Sequence, residues 1–289
     1  MRTTKTLVRQ FEEKHMLKLM YITNDPAVAK IAANAGVDRI FIDMEVLGKA
    51  ERQGSLDTVR SHHVPEDIAN VRAAIGDTAE IVARINPLNP HSQTEIDASI
   101  ENGADVIMLP MWHTADDLCR LVRMVDSRAG IMPLLETDTA ADNLSDVLKV
   151  PGIEQIHIGL NDLHLCYHQK FMFQLFADGT VDRLCVGFHN ANIRYGIGGV
   201  GRPGTGMLPA EYIIGEHYRL GSQYVILSRS FCNTVKITDL DEIQRIFTEG
   251  VADIRRVERE CAAWTKEQFD ENHTKVCACV EKIVRGMDT

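Results

Sequence analysis

The feature that most constrains the fold is an alternation of short apolar runs with helical patterns along most of the chain. Most of these runs are apolar throughout rather than at every second residue, which is typical of parallel strands covered on both faces. The alternation therefore predicts an α/β fold with a parallel sheet. The candidate strands are residues 17–23, 39–45, 80–86, 106–110, 131–136, 155–160, 195–200 and 224–230.

The segments between these runs carry the start signals of helices. One helix is predicted to begin at an Asp25 cap with Pro26 in its first turn. Another is predicted to begin at a capping box formed by Ser92 and Glu95. A third is predicted to begin at a Thr114 cap. Each signal follows a candidate strand, so strands and helices are predicted to alternate.

The number of strand–helix units predicts the architecture. Eight units in about 230 residues match a (β/α)8 TIM barrel in number and size. The alternative is an open, doubly wound sheet, which usually has a Gly-rich turn after its first strand, whereas "YITNDPAV" (21–28) contains no glycine. Residues 1–238 are predicted to form the barrel, and 239–289 a helical C-terminal extension. The extension has more apolar positions than one outer helix needs, so we expect it to pack on a neighbouring subunit of a homo-oligomer.

Charge and cysteine content exclude several classes of function. The formal net charge is −10 and basic residues do not cluster, so nucleic-acid binding is not expected. No apolar stretch approaches the roughly 18–20 residues that cross a bilayer, so no membrane association is expected. The seven cysteines are scattered without zinc-site spacing, which predicts a reduced, cytoplasmic protein.

Acidic residues directly follow two neighbouring candidate strands. Glu136 follows the fifth strand, and Asp162, preceded by Asn161, follows the sixth. In a barrel the carboxyl ends of all strands meet at one mouth, so these two carboxylates should lie a few Å apart. Carboxylates at such a short distance repel one another unless one is protonated or a cation binds between them. Oxygen ligands with vacant positions suit Mg²⁺ or Mn²⁺. The alternative is that each acid caps a helix or pairs with a lysine or arginine.

Charged residues also end the second and third strands. Asp43 and Glu45 end the second, and Arg84 and Asn86 end the third. Arg84 is a candidate to bind a carboxylate or a developing oxyanion beside the metal. A buried salt bridge between Arg84 and one of the acids at the mouth is the alternative.

Other polar or glycine-rich segments are weaker candidates. His62 and His63 lie in the loop after the second strand, where a surface position is expected and an acid/base or metal pair is the alternative. His157 is expected to be a core residue. The glycine-rich 195–206 after the seventh strand either binds phosphate through its backbone or makes a tight turn.

A longer stretch, "LLETDTAADNLSDVLKVPGIEQIHIGLNDL", resembles the signature of the HpcH/HpaI aldolase and citrate lyase β-subunit family. The similarity extends through "RIN", "GADVIMLPM" and "FIDMEVLGKAER", over roughly 17–230. It implies a metal-dependent, class II aldolase-like barrel that acts on 2-oxo acids or related carboxylates, as a homo-oligomer (trimer or hexamer). It also implies that Glu136 and Asp162 bind the metal and that Arg84 binds substrate. Backbone N–H groups of Asn161 and Asp162 would bind the substrate carboxylate.

One position departs from the aldolase branch of that family. The branch has an "EH" pair after strand two whose histidine is the proposed general base, and this chain has Val46 there. Either Glu45, with Asp43 in support, another histidine or a metal-bound water then transfers the proton, or the aldolase reaction is not run in the usual way.

Three functions remain open from the sequence. The first is a divalent-metal carbon–carbon lyase that acts on a small 2-oxo acid or related hydroxy-dicarboxylate, such as a pyruvate aldolase, through a metal-stabilised enolate. The second is a citrate-lyase-like acyl-CoA (malyl- or citramalyl-type) lyase, for which Arg194, Arg202 and Arg229 could hold phosphates. The third is a non-catalytic metal and oxo-acid binder that lost the base.

Overall fold

The computed structural model describes residues 16–48 and 63–287 and contains a parallel sheet that forms a barrel. Every strand pairing in it is parallel. All eight candidate runs contain strands, which confirms the predicted alternation. The strands are β1 (Lys18–Ile22), β2 (Arg39–Asp43), β3 (Glu80–Arg84), β4 (Val106–Met108), β5 (Gly130–Ile131), β6 (Leu134–Leu135), β7 (Gln155–Ile158), β8 (Arg194–Val200) and β9 (Tyr224–Leu227).

The barrel closes through a strand that a proline divides into two pieces. The sheet order is β5-β4-β3-β2-β1-β9-β8-β7-β6, so its two ends are consecutive pieces of one run around Pro133. Met132 N donates to Ile107 O on one side (2.9 Å), and Pro133 O accepts from His157 N on the other (3.0 Å). Proline has no N–H to donate, which explains the break. The predicted TIM barrel is confirmed.

Helices follow the strands in the predicted positions. They are α1 (Pro26–Asn34), α2 (Pro65–Ile75), α3 (Ser92–Glu101), α4 (Ala115–Val125), α5 (Asp138–Asp142), α6 (Leu144–Val147), α7 (Leu160–Cys166), α8 (Gln174–Ala177), α9 (Thr180–Asn190), α10 (Ala210–Leu220), α11 (Leu240–Cys261) and α12 (Lys266–Met287). Asp25 caps α1 by accepting from Ala27 N at 2.8 Å. Thr114 and Asp117 form the capping box of α4. Both predicted caps are therefore confirmed.

The predicted capping box of Ser92 and Glu95 is wrong. Ser92 is the first residue of α3, and its hydroxyl accepts from Asn89 N at 2.9 Å. The Glu95 carboxylate instead accepts from Asn86 N at 3.1 Å and from Asn89 Nδ2 at 3.2 Å. Glu95 thus fixes the loop that leaves β3, at the carboxyl end of the barrel.

The core has two layers because the strands are covered on both faces. The larger layer lies between strands and helices. The smaller one fills the barrel interior, and its buried members are Met20, Phe41, Val82, Val106, Met108, Met132, Leu134 and Tyr224. The uninterrupted apolar runs in the sequence supply both layers.

The two C-terminal helices pack on their own chain. The helix α11 lies against α1 and α10, where the eighth helix of a barrel is expected, and buries Phe247 and Ile254. The helix α12 lies against α10 and α8 and buries Val276. The predicted boundary at residue 238 and the packing of 239–289 on a neighbouring subunit stay predictions. No described helix has the uninterrupted apolar length that a bilayer crossing requires.

Candidate functional site

A cavity of about 560 Å³ opens at the carboxyl ends of the strands. It brings together most of the site residues that the sequence predicted. The cavity is lined by Asp43, Arg84, Glu136, Asn161 and Asp162, among others. Glu45 is 2% exposed and is not among the described residues that line the cavity.

Arg84 is held by two carboxylates at the wall of this cavity. Its Nε and Nη2 donate to the two oxygens of Asp43, each at 2.8 Å, and the Glu45 carboxylate lies 3.4 Å from Nε. Burial alone would lower the pKa of Arg84, but the charges of Asp43 and Glu45 outweigh it and raise the pKa. The salt bridge considered from the sequence therefore exists, yet the Arg84 side chain is 13% exposed and still faces the cavity.

Glu136 and Asp162 are electrostatically coupled. Burial, and next the charge of Asp162, raise the pKa of Glu136 to about 8, while Arg84 lowers it by less. Met111 N donates to Glu136 Oε1 at 3.1 Å. Asp162 lies in the first turn of α7, next to the strand end that carries Glu136. An ionised Glu136 is therefore costly unless positive charge is added beside it.

The donor chemistry of this acid pair fits a hard divalent cation. Within the described ranges, no group of three or more His, Cys, Asp or Glu residues is arranged to hold a metal. Mg²⁺ usually binds one or two carboxylates and keeps several waters, so Glu136 and Asp162 are sufficient protein ligands. Arg84 is held by Asp43 and compensates Glu136 only in part.

Gly159 leaves room for the Glu136 side chain, a role that the sequence analysis did not identify. A Cβ placed on Gly159 would lie 2.8 Å from Glu136 Oε2 and 2.9 Å from Glu136 Cβ. Real Cβ atoms essentially never make such contacts. The bare backbone between β7 and α7 is therefore needed for the Glu136 side chain to lie where it does.

His63 also lines the cavity, which corrects the predicted surface position. Its Nδ1 accepts a hydrogen bond from Asp43 N at 2.9 Å. The neutral imidazole then carries its proton on Nε2, so His63 is a hydrogen-bond donor in this arrangement. The contact spans 20 residues along the chain, and no local pattern predicts it. His62 lies outside the described residues.

Val46 and Leu47, which follow β2, are held from the loop after β3. Asn86 Oδ1 accepts from Val46 N and from Leu47 N, both at 2.9 Å. Asn86 is in turn bound by Glu95. The Val46 side chain is 50% exposed. This segment is thus fixed by backbone contacts, with an apolar side chain at its surface.

The remaining candidates separate into three environments. Arg194 begins β8 at the opposite end of the barrel and pairs with Glu154 at 3.4 Å, so it cannot join a basic group at the mouth. Arg202 and Arg229 do lie at the carboxyl strand ends. His157 is fully buried, its Nε2 lies 3.0 Å from a glycine carbonyl oxygen, and burial lowers its pKa to about 4. The predicted core position of His157 is confirmed.

Solved structures with the same fold include three similar chains. An HpcH/HpaI aldolase/citrate lyase family protein from Burkholderia cenocepacia J2315 has a TM-score of 0.60 at 16% identity, over 83% of this chain and 100% of that one. An HpcH/HpaI aldolase from Desulfitobacterium hafniense DCB-2 has a TM-score of 0.59 at 12% identity, over 82% of this chain and 96% of that one. The citrate synthase SbnG has a TM-score of 0.58 at 13% identity, over 83% of this chain and 97% of that one. At these identities the similarity shows the fold alone.

Comparison of sequences identifies the family more specifically than the shared fold does. No curated protein matches the chain. The sequence model of the HpcH/HpaI aldolase/citrate lyase family matches residues 18–169, which is just over half of the 289 residues. This range contains Asp43, Arg84, Glu136 and Asp162. The chain belongs to the HpcH/HpaI aldolase/citrate lyase family.

Proposed function

We propose that the protein is a divalent-cation-dependent carbon–carbon lyase that acts on a small 2-oxo acid such as pyruvate. The observation that carries the proposal is the placement of Glu136 and Asp162 in one cavity with Arg84, which Asp43 already holds. Membership of an aldolase/citrate lyase family supports the reaction class.

A cation would be held by the carboxylates of Glu136 and Asp162. When bound, Mg²⁺ or Mn²⁺ would supply Lewis-acid polarisation of the substrate carbonyl and carboxylate oxygens. Its charge would also allow both acids to be ionised at neutral pH. The backbone N–H groups of Asn161 and Asp162, which line the same cavity, are proposed to bind the substrate carboxylate.

Arg84 stabilises negative charge on the substrate. Two of its five N–H groups are used by Asp43, and Nη1 makes no hydrogen bond to any described residue. The guanidinium is therefore oriented in advance and has donors left for an oxyanion, so no reorganisation is needed during the reaction. His63 lines the same cavity, and its Nδ1 accepts a hydrogen bond from Asp43 N.

The reaction requires two proton transfers. In the cleavage direction the substrate hydroxyl loses its proton to a base, the carbon–carbon bond breaks to release an aldehyde, and the resulting enolate gains a proton at carbon. The geometry supports a positioning role for Asp43 and Glu45, because both contact Arg84. A proton-transfer role for Glu45 stays a prediction.

Proton exchange of pyruvate tests this proposal without knowledge of the aldehyde. The methyl signal of pyruvate is followed by NMR in D₂O, with Mg²⁺ or with a chelator. We expect exchange that depends on Mg²⁺, that is lost in Glu136→Gln, and that persists in Glu80→Gln, an acid at the opposite end of the barrel. Undiminished exchange in Glu136→Gln or in chelator would refute the proposal.

The acyl-CoA lyase is the second candidate function, because Arg202 and Arg229 lie near the cavity. Cleavage of malyl- or citramalyl-thioesters, measured beside pyruvate exchange, separates the two candidates. A non-catalytic binder would bind pyruvate with Mg²⁺ and catalyse neither reaction.

A further inference from the structure

We infer that the candidate active-site cavity continues into a basic annex that binds a second anionic group of the substrate, a phosphate or a carboxylate. This inference rests on the proposed function, because the annex is assigned to the far end of the same substrate. The annex is a second cavity of about 510 Å³. Its polar lining residues are Arg202, Ser228, Arg229, Ser230 and Asn233.

The strand register brings the two arginines to one edge of the barrel. Val200 of β8 pairs with Leu227 of β9, and Ser228 N donates to Val200 O at 2.8 Å. Arg202 and Arg229 each follow a member of that pair by two residues. They therefore leave adjacent strands at the carboxyl end, where the loops after the last two strands of TIM barrels often bind phosphate.

The charge of the annex is unbalanced. Its described lining contains two arginines and no Asp or Glu, although the chain as a whole carries a net charge of −10. Arg84 and Arg219 are each held by carboxylates, whereas the side chains of Arg202 and Arg229 make no ion pair within the described residues. Both guanidinium groups thus keep their donors for an external oxyanion.

Packing directs the Arg202 side chain, whereas Arg229 is exposed. A Cβ placed on Gly250 of α11 would lie 3.4 Å from Arg202 Cδ, so the Arg202 stem runs over that glycine. The hydroxyls of Ser228 and Ser230 are 2.7 Å apart. A Cβ on Gly201 would lie 2.8 Å from Ser230 Oγ, so the bare backbone at Gly201 allows the two loops to meet.

The annex adjoins the first cavity, because five residues line both. Both cavities are lined by Met172, Ser228, Arg229, Cys232 and Asn233. A substrate whose oxo-acid end lies at Glu136 and Arg84 can therefore extend its other end to Arg202. Two arginines and two hydroxyls suit an oxyanion at that end.

Binding of inorganic phosphate and of acetate to the full chain tests the annex independently of turnover. Titration calorimetry is done on the wild type, Arg202→Met, Arg229→Gln and, as a matched control, Arg259→Gln, an exposed arginine on α11. We expect at least one anion to bind the wild type and the control, and to bind at least fivefold more weakly to the other two variants. Equal affinity in all four proteins, or no binding of either anion to the wild type, would overturn the inference.

A kinetic arm identifies which anion the annex selects. Pyruvate addition is compared for glyceraldehyde, glyceraldehyde 3-phosphate and 4-oxobutanoate. We expect one anionic aldehyde to exceed the neutral one at least tenfold in kcat/KM, with most of that preference lost through KM in Arg202→Met. Preference for the neutral aldehyde would contradict the annex. Absence of pyruvate exchange in the wild type would instead count against the proposed function alone.

Discussion

The two ends of the strand pair β2–β3 carry the same kind of ion pair in opposite orientation. At the amino end Arg39 of β2 pairs in register with Glu80 of β3. At the carboxyl end Asp43 of β2 pairs in register with Arg84 of β3. Residues four apart lie on the same face of a strand, so both pairs belong to the same wall of the barrel.

At the amino end, the polar groups of Arg39 are bound by neighbouring side chains. Arg39 is 3% exposed, and its Nε donates to Glu80 at 2.7 Å. Its Nη1 donates to Gln155 Oε1 at 3.1 Å, and its guanidinium lies 4.7 Å from the centre of the Tyr224 ring. Burial would raise the pKa of Glu80, but Arg39, and to a smaller extent Lys18 and Arg194, outweigh burial and lower the pKa. Basic groups thus compensate the charge of Glu80 at this end.

Among the described residues at the carboxyl end, carboxylates outnumber basic groups. Arg84 is already paired with Asp43 and Glu45, and Glu136 and Asp162 lie in the same region. The comparison teaches that an ion pair closes the barrel at one end, whereas at the other end it orients an arginine beside Glu136 and Asp162, the acids that we propose hold a cation. This is the division of labour expected of TIM barrels, in which binding residues lie at the carboxyl strand ends.

The largest effect is expected from replacing the arginine at each end. Arg84→Met should lower pyruvate exchange per folded molecule by about 10²–10³, because a preorganised donor to the oxyanion is lost. Arg39→Met should lower the free energy of unfolding by about 1–3 kcal/mol, because the buried Gln155 loses a donor and the half-exposed Glu80 loses its ion pair, with little loss of exchange. NMR exchange and urea unfolding measure both. The comparison fails if Arg39→Met loses more exchange than Arg84→Met.

His157, which lies between the two ends of the barrel, predicts that the free energy of unfolding depends on pH. His157 has a pKa of about 4 in the folded chain against 6.5 in the unfolded chain, so the unfolded state binds the proton at higher pH. Its contribution to stability is complete above pH 6.5 and is lost as the pH falls towards 4, about 2 kcal/mol by pH 4.5. Urea unfolding of the wild type and His157→Gln between these values should show a shallower slope for the variant. Parallel curves would contradict this role.

The smallest effect is expected from added methyl groups at two glycines. Gly159→Ala should displace Glu136 and lower exchange about tenfold, because the new Cβ meets Oε2 at 2.8 Å. Gly130→Ala, at the amino end, meets Val106 Cγ2 at 3.3 Å and should leave exchange within about twofold. The rate of pyruvate proton exchange per folded molecule measures the effect of each substitution. Equal losses would show that the two ends are not functionally different.

The sequence predicted the barrel and five cavity residues because both depend on local pattern. Apolar runs located the strand ends, and parallel strands of a barrel present all those ends at one mouth. The residues that followed from that rule and line the cavity are five: Asp43, Arg84, Glu136, Asn161 and Asp162.

Features that depend on distant contacts could not be predicted. His63 reaches Asp43 across 20 residues, and no periodicity encodes that contact. Glu95 binds the loop after β3 instead of capping its helix. Both partners are near Glu95 in the sequence, and only the folded chain shows which one it binds. The break at Pro133 depends on how the barrel closes.

The central claim is that the acids at the carboxyl end hold a divalent cation, and Mn²⁺ binding tests it most directly. Free Mn²⁺ is measured by electron paramagnetic resonance during titration of the wild type, Glu136→Gln, Asp162→Asn and, as the matched control at the other end, Glu80→Gln. The account predicts one site per chain in the wild type and Glu80→Gln, and affinity reduced at least tenfold in Glu136→Gln and Asp162→Asn. Equal Mn²⁺ affinity in all four proteins would contradict it.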